Sequence, residues 1–278
     1  MLIFPLVIPL VGMALPERFP SRSPLWTTPG KTQTKDLLEL FVHRGTNLTE
    51  LFRRKKWAAG PGHLHALKRW LPGEDTILKQ LRELAHSSCA VVGASGSLRN
   101  CTEALQICQH DAILYANDHP AVRRGIGCDR VDAQVANHYA CVWDASAGRM
   151  VTHKKNQKMQ CQTEPRLFRF RHEWNPRELA RGATKAWLSS GILTDRVHSQ
   201  IARHDGKCCA TAGGVAIGLS LHVCQQVTLF GLGGVGKGHI EDKVTNGIVV
   251  DNIAGGHNMR GELTWIRSLG DAVKAKCA

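Results

Sequence analysis

The sequence predicts an α/β protein with a mostly parallel sheet that is covered by helices on both faces. Short apolar segments rich in branched residues alternate with segments of helical periodicity. One helical segment, Val215–Val223, is apolar nearly all round, as expected of a buried helix. A chain of 278 residues with 43% hydrophobic residues can also bury a large core.

The predicted elements follow one another along most of the chain. Apolar residues recur at helical spacing from Asp75 to Ala85, and Pro176 marks the start of a second helix that runs through Trp187. Strands are predicted at Cys89–Gly93, Ala112–Ala116, Val135–Trp143, Leu167–Phe170, Gln226–Phe230 and Ile248–Val250. A helix from Asn258 to Ala272 closes the chain.

The domain organisation predicted from composition has three parts. Residues 1–16 are apolar and resemble a signal or anchor segment, although they are fewer than the ~20 residues of a membrane span and lack preceding positive charges. The alternative for them is a buried N-terminal segment. Residues 17–74 are rich in Pro, Thr and charge and predict a stem or lead-in, and residues 75–278 form the main domain.

Two features favour an address in the secretory pathway. The triplets that begin at Asn47 and Asn100 match the N-glycosylation sequon, although such triplets also occur by chance. The ten cysteines are many for a cytosolic enzyme, and their spacing does not match a zinc site.

The charge balance is strongly basic, with 36 Lys and Arg against 23 Asp and Glu and a net charge of +13. Part of the excess lies in residues 149–185, where ten basic residues face three acidic ones. Such a surface fits nucleic acid, an anionic small-molecule substrate drawn in by the positive field, or a solvated basic face.

Three glycine-containing segments could hold a nucleotide. The first is the turn after the strand at Val91–Val92, where Gly93 and Gly96 permit close backbone approach and Ser95 and Ser97 add hydroxyls. The second is Thr211–Gly214 at the amino end of the buried helix, where N–H groups and the helix dipole favour an anion.

The third glycine segment, Gly231–Gly238, matches two known motifs incompletely. A Walker A loop needs Ser or Thr where Gly238 stands. A dinucleotide fingerprint needs a long helix next, and Val244, Thr245 and Gly247 disfavour one, although Asp251 is near the distance of the expected acidic residue. A glycine-rich loop that lines the mouth of another nucleotide site remains the preferred interpretation.

His257 is a candidate general base. Asn258 can cap the helix that follows, which places His257 just outside a positive helix end, where the neutral imidazole is favoured. Glu262 is expected in the first turn of that helix. Because the two residues are five positions apart, they do not share a helical face, and Glu262 is interpreted as orienting or structural. A purely structural helix start is the alternative.

Together these segments resemble the eukaryotic sialyltransferase family in order and in spacing, from Cys89 to the C-terminus. The long motif of that family resembles Cys89–Val131, with Cys-Ala-Val-Val-Gly-x-Ser-Gly-x-Leu at its head. The short motif resembles Ala210–Gly233, and the final H-x-x-x-x-E motif resembles His257–Glu262. Each piece is weak alone, and the three in order are specific.

The resemblance implies a single Rossmann-like domain of a variant GT-A type and an inverting transfer of sialic acid from a CMP-sugar to a glycan hydroxyl, without a metal or other cofactor. His257 is then the general base, and His239 is a candidate that helps to hold the departing phosphate. The implied donor-binding residues are Ala94, Ser95, Asn117, Thr211, Ala212, Gly213 and Gly233. The resemblance also implies a structural disulfide, Cys89–Cys224. It further implies a location in the Golgi lumen, with a single-pass type II membrane protein as one form.

Several positions depart from the family pattern. The family usually has Asn or Ser at Ala94, Arg at Tyr115 and Pro at Ala210, and His239 lacks the usual aromatic companions. These changes leave open a Kdo-like donor sugar or an inactive relative. The rival hypotheses are an NAD- or nucleotide-binding Rossmann protein that uses Gly231–Gly236, and a basic, non-enzymatic module that binds RNA or acidic glycans.

Overall fold

A computed structural model gives the fold of most of the chain. It describes residues 34–55, 61–85, 87–93, 95, 97–98, 101–117, 126–136, 142–144, 149–151, 166–171, 174, 187–206, 209–232 and 258–277. The predicted signal or anchor segment and the predicted strand Ile248–Val250 lie outside these residues. No helix among the residues described is long and apolar enough to cross a membrane.

Helices and strands alternate along the described chain. The helices are α1 (Thr34–Glu39), α2 (Leu48–Arg54), α3 (Pro61–Trp70), α4 (Glu74–Leu84), α5 (Ile192–Asp205), α6 (Ala212–Val223) and α7 (Met259–Ser268), with 3-10 helices at Thr102–Gln109 and Gly270–Ala272. The strands are β1 (Phe41–Val42), β2 (Ser88–Val92), β3 (Ala112–Ala116), β4 (Ala133–Ala136), β5 (Val142–Asp144), β6 (Arg149–Val151), β7 (Phe168–Arg171), β8 (Trp187–Ser189), β9 (Gln226–Phe230) and β10 (Lys274–Lys276).

Eight of these strands form one twisted sheet in the order β1-β8-β7-β4-β3-β2-β9-β10. All neighbouring pairs are parallel except β1 and β8. Strands β3, β4, β7 and β8 lie on one side of β2, in chain order. The next strand in the chain, β9, lies on the other side of β2. The sheet therefore reverses its order between β2 and β9, and the mostly parallel α/β fold predicted from the sequence is confirmed.

Both faces of the sheet are covered. On one face α4, α5, α6 and α7 bury a core that includes Val91, Leu114 and Trp265. Helix α6 is buried along its whole length, as its apolar sequence predicts. On the other face, the 3-10 helix Thr102–Gln109 packs over Val92 and Phe230, while α2 and α3 pack near Leu188.

The described part of the predicted lead-in is folded onto the sheet. Strand β1 pairs antiparallel with β8, and Phe41 is 1% exposed in the main core. Its ring meets that of Trp187 edge to face, with centroids 5.4 Å apart. Residues from Thr34 onward thus share a hydrophobic core with the main domain.

Three predicted elements differ from the structure. The segment predicted as one strand, Val135–Trp143, is divided between β4 in the main sheet and β5, which pairs only with β6. The flanking strands β3 and β7 have five and four residues, so they cannot pair with a nine-residue strand along its length. The final helix ends at Ser268, and the chain continues into β10. Trp187, expected in the helix from Pro176, begins β8; positions 175–186 of that prediction lie outside the described residues.

Candidate active site

The reversal of strand order defines the region where a ligand is expected. In open α/β sheets, ligands bind beyond the carboxyl ends of the strands at the point where the order reverses. Here that point lies between β2 and β9, whose ends are in register at Val92 and Phe230. The chain leaves β2 at Gly93 and β9 at Gly231, so two of the three glycine segments meet at this edge.

These two turns lie in direct contact. The N–H of Gly93 donates to the carbonyl of Phe230 at 2.8 Å, and the N–H of Ser95 donates to that of Gly231 at 3.2 Å. A Cβ on Gly93 would lie 2.5 Å from the Cδ2 atom of Leu232, which leaves no space for a side chain. Gly231 has φ +61°, a conformation that favours glycine.

The amino end of α6 lies at the same edge. Thr211 caps the helix, and its Oγ accepts from the N–H of Gly214 at 3.1 Å. A Cβ on Gly213 would lie 2.8 Å from the Leu232 Cδ2 atom, so Leu232 lies between the helix end and the turn at Gly93. Among the described residues, none accepts a hydrogen bond from the amides of Ala212 and Gly213.

Glu262 from α7 reaches across to this helix end. Its carboxylate accepts from the N–H of Thr211 at 2.8 Å and from the Thr211 hydroxyl at 2.7 Å, and the residue is 4% exposed. A carboxylate is stabilised at this position by the positive end of the α6 dipole. The N–H and the hydroxyl of Thr211 are therefore engaged within the protein.

The start of α7 is hydrogen-bonded to the segment that precedes α6. Asn258 caps α7 as predicted, and its Oδ1 atom accepts from the N–H of Gly261 at 2.9 Å. The N–H of Asn258 donates to the carbonyl of Cys209 at 3.0 Å. Two backbone anchors, at Cys209 and Thr211, thus hold the first turn of α7 against the start of α6.

Asn117 lies at the same edge of the sheet, directly after β3. Its N–H donates to the carbonyl of Val135 at 2.8 Å, and its φ is +62°, a conformation that asparagine tolerates better than most residues. The structure thus brings Ser95, Asn117, Ala212 and Gly213 to one edge of the sheet. Four predicted site residues lie outside the described residues: Ala94, Gly233, His239 and His257.

The Cys89–Cys224 disulfide is present, with a Cα–Cα distance of 6.0 Å. It joins the start of β2 to the end of α6, so it lies at the opposite ends of these elements from Gly93 and Thr211. Sequence analysis left the other pairings undetermined. The structure also has Cys101–Cys277 and Cys108–Cys128, and Cys209 is disulfide-bonded as well.

One contact near the site, between Ser97 and Cys277, was not predicted from the sequence. The hydroxyl of Ser97 lies 3.0 Å from that of Ser95 and is hydrogen-bonded to the carbonyl of Cys277. The Gly/Ser turn was recognised as a possible nucleotide loop, but the sequence carries no sign that the C-terminal strand reaches it. That contact depends on the pairing of β10 with β9 and on the Cys101–Cys277 disulfide.

The fold is similar to that of solved mammalian sialyltransferases. A mammalian sialyltransferase solved in complex with Gal-beta-1-3GalNAc-ortho-nitrophenol superposes with a TM-score of 0.56 at 14% identity, over 90% of this chain and 97% of the other. A second mammalian sialyltransferase structure has a TM-score of 0.51 at 15% identity, over 90% and 96% of the two chains.

A similarity in sequence accompanies the similarity in fold. The chain is 24% identical to the chicken (Gallus gallus) CMP-N-acetylneuraminate-beta-galactosamide-alpha-2,3-sialyltransferase 1 over 179 residues. The aligned region covers 61% of this chain and 51% of the relative. The chain thus spans about half the length of that curated relative. No protein-family model matches the chain. The resemblance to the sialyltransferase family inferred from the motifs is confirmed in sequence and in fold.

Proposed function

We propose that this protein is an inverting glycosyltransferase that moves sialic acid from a CMP-sugar donor to a hydroxyl of a glycan acceptor. One observation carries the proposal. The three segments that resemble the family motifs converge where the strand order reverses, through the contacts Gly93–Phe230, Thr211–Glu262 and Asn258–Cys209. These segments are far apart in the chain, and a shared nucleotide site explains their convergence.

The donor nucleotide is proposed to bind along the edge from the turn after β2 to the start of α6. The amides of Ala212 and Gly213 suit an anionic oxygen of the donor, because they lie at the positive end of a buried helix. Thr211 holds that helix end in position. Ser95, the backbone of Ala94 and Asn117 are assigned to the CMP moiety, and Gly233 is assigned to the ribose or base.

In the proposed reaction the acceptor hydroxyl attacks the anomeric carbon of the sialic acid. His257 takes the hydroxyl proton as general base, the new C–O bond forms, and the bond to the phosphate oxygen breaks so that CMP leaves. The residue that directly follows His257 is anchored to Cys209 beside the α6 end, which supports this assignment. His239 is proposed to stabilise the charge on the departing phosphate.

The transition state of such a transfer resembles an oxocarbenium ion with CMP as a good leaving group. The protein then needs to orient two substrates, accept one proton and stabilise a phosphate charge, and the residues assigned here can do so without a metal. A Kdo-like sugar on CMP is the alternative donor, because the hydrogen-bonding side chain that the family usually has at position 94 is replaced by alanine.

The compartment proposed for this reaction is the Golgi lumen. Three disulfides join pairs of described cysteines, and disulfides persist in oxidising compartments. The apolar residues 1–16 are proposed as a signal or as part of a membrane anchor. Glycoprotein or glycolipid glycans are the proposed acceptors, and nucleic acid is not a proposed partner.

A thermal-shift panel with CMP, CDP, ATP and NAD tests the donor assignment, followed by an assay of CMP release from CMP-N-acetylneuraminic acid. Gal-beta-1-3GalNAc is a suitable first acceptor, because a structural neighbour was solved with an aryl glycoside of it. We expect CMP to give the largest shift and acceptor to increase CMP release. A shift with NAD and none with CMP contradicts the proposal in favour of the dinucleotide-binding alternative.

A further inference from the structure

Ser97 is hydrogen-bonded to both Ser95 and Cys277, and the Cys277 carbonyl determines which group donates in each bond. The Ser97 Oγ atom lies 3.0 Å from the Ser95 Oγ atom and also within hydrogen-bonding distance of the Cys277 carbonyl oxygen. A hydroxyl has one proton, and a carbonyl oxygen can only accept. The Ser97 hydroxyl therefore donates to Cys277, and the Ser95 hydroxyl donates to Ser97.

With its proton donated to Ser97, the Ser95 hydroxyl can only accept a hydrogen bond from a ligand. Its Oγ atom also accepts from the N–H of Ser97 at 3.3 Å. The proton and one lone pair of Ser95 are thus engaged with Ser97, and one lone pair remains. If Ser95 donated its proton to a ligand, either the two hydroxyl oxygens would face each other without a hydrogen between them, or Ser97 would release Cys277. Each change costs about one hydrogen bond.

The carbonyl that sets the direction is held firmly. Lys276 is in register with Phe230 in the pairing of β10 and β9, and Cys277 is bonded to Cys101. The Lys276 ammonium group is hydrogen-bonded to Gln106 and lies 3.5 Å from a Glu103 carboxylate oxygen. Both partners belong to the 3-10 helix on the same face of the sheet. These contacts hold the strand that carries the Cys277 carbonyl beside Ser97.

We infer that Ser97 and the C-terminal strand fix Ser95 as a hydrogen-bond acceptor, so that Ser95 takes an O–H or N–H group of the nucleoside and not a phosphate oxygen. This inference rests on the proposed function, since it assumes that Ser95 lies against CMP. Ser97 is then a positioning residue, and the C-terminal strand is a part of the donor site.

The test is a set of dissociation constants for the full chain and its Ser95→Ala variant, measured by calorimetry with CMP, cytidine, 2′-deoxy-CMP, 3′-deoxy-CMP and UMP. We expect Ser95→Ala to weaken CMP and cytidine by the same factor of about ten, since the lost bond goes to the nucleoside. With one of the three altered nucleotides the factor should fall to about one, and that nucleotide identifies the donor group.

Ser97 is tested by Ser97→Ala and Ser97→Thr, with Ser199→Ala, at an exposed position of α5, as the control. Ser97→Ala releases the Ser95 proton, so we expect weaker cytidine binding and a rise of about threefold or more in the ratio of CMP to cytidine affinity. Ser97→Thr keeps the hydroxyl and should restore the wild-type ratio. A general loss of folding would lower both affinities and leave their ratio unchanged.

Two results overturn the inference in distinguishable ways. A Ser95→Ala penalty that is present with CMP and absent with cytidine shows a phosphate contact; it contradicts the inference and leaves the proposed function intact. A wild-type chain that binds none of the five compounds contradicts the proposed function, and the inference fails with it. An unchanged CMP to cytidine ratio in a Ser97→Ala variant that unfolds in urea like Ser199→Ala also contradicts the role of Ser97.

Discussion

The Glu262 carboxylate caps the N–H and the hydroxyl of Thr211 at 2.8 and 2.7 Å, and this contact joins two helices that are far apart in the chain. Because Glu262 is directed into the start of α6, its spacing from His257 does not describe an acid–base pair. The contact instead holds the first turn of α7 beside the amino end of α6. The glutamate of the H-x-x-x-x-E segment thus anchors the first turn of α7.

The first prediction concerns Glu262→Ala. The change leaves the half-buried N–H of Thr211 without its acceptor and removes a charge-assisted bond, so we expect the free energy of unfolding to fall by about 2–4 kcal/mol. Urea denaturation measures the loss. Glu262→Gln should lose less, because its amide oxygen can still accept from the Thr211 N–H.

Thr264→Ala is the matched control for Glu262. Thr264 is exposed on the same helix, and its hydroxyl donates to the carbonyl of Arg260. This variant should stay within about 0.5 kcal/mol of the wild-type protein. A loss in Glu262→Ala no larger than that of Thr264→Ala contradicts the role given to the carboxylate.

The second prediction concerns the close approach of the two turns. A Cβ on Gly93 would lie 2.5 Å from Leu232 Cδ2 and against the carbonyl of Gly231, which is backbone and cannot rotate away. We expect Gly93→Ala to cost about 1–3 kcal/mol of stability and to weaken CMP binding at least tenfold. Gly73→Ala is the control, because its Cβ would meet only Thr76 Oγ1 at 3.9 Å. Equal CMP affinity of the two variants would be evidence against the site.

The third prediction is that the Cys89–Cys224 disulfide contributes to stability but not to CMP affinity. Removing both sulfurs with Cys89→Ala and Cys224→Ala should destabilise the protein by about 4 kcal/mol in the chain-entropy account, since the bridge spans 135 residues and Cys101–Cys277 already restricts part of that loop. Because the bridge lies at the far end of β2 and α6, the folded variant should bind CMP within about threefold of the wild-type affinity. A folded variant that no longer binds CMP contradicts this division.

The fourth prediction concerns pH. Burial, and to a lesser degree the charge of Arg196, lowers the pKa of His222 on α6 to about 4, and Asp36 opposes the shift. Unfolded histidine has a pKa of about 6.5, so the unfolded chain binds more protons below that pH and the folded state loses stability as the pH falls from 6.5 toward 4. The loss at pH 5 should be about 2 kcal/mol relative to pH 7.5.

His222→Gln should remove most of that pH dependence, as measured by urea unfolding at both pH values. His204→Gln, at an exposed position of α5, is the control and should keep the wild-type dependence. The same slope in His222→Gln as in the wild-type protein would refute the assignment to His222.

Much of the fold could be predicted from local patterns. The apolar length of α6, the strand at Val91 and the cap at Asn258 are all written in a few consecutive residues, and the structure confirms them. The strand order could not be predicted in this way, because the placement of β9 beside β2 depends on side-chain packing between segments more than a hundred residues apart.

The site could be predicted only as separate pieces. Glu262 was interpreted as structural because it does not share a helical face with His257, but its partner Thr211 is 51 residues away and has no local signal. The link from Ser97 to Cys277 spans 180 residues and depends on which cysteines pair. Ten cysteines allow too many pairings for the sequence to select one.

The measurement that tests the account most directly is sialic acid transfer by His257→Ala beside its affinity for CMP. If His257 is the general base, transfer from CMP-N-acetylneuraminic acid to an accepted glycan should fall at least 100-fold while the CMP dissociation constant stays within about threefold. His204→Ala, at an exposed position, should keep wild-type values for both. Transfer at the wild-type rate by His257→Ala would contradict the central claim.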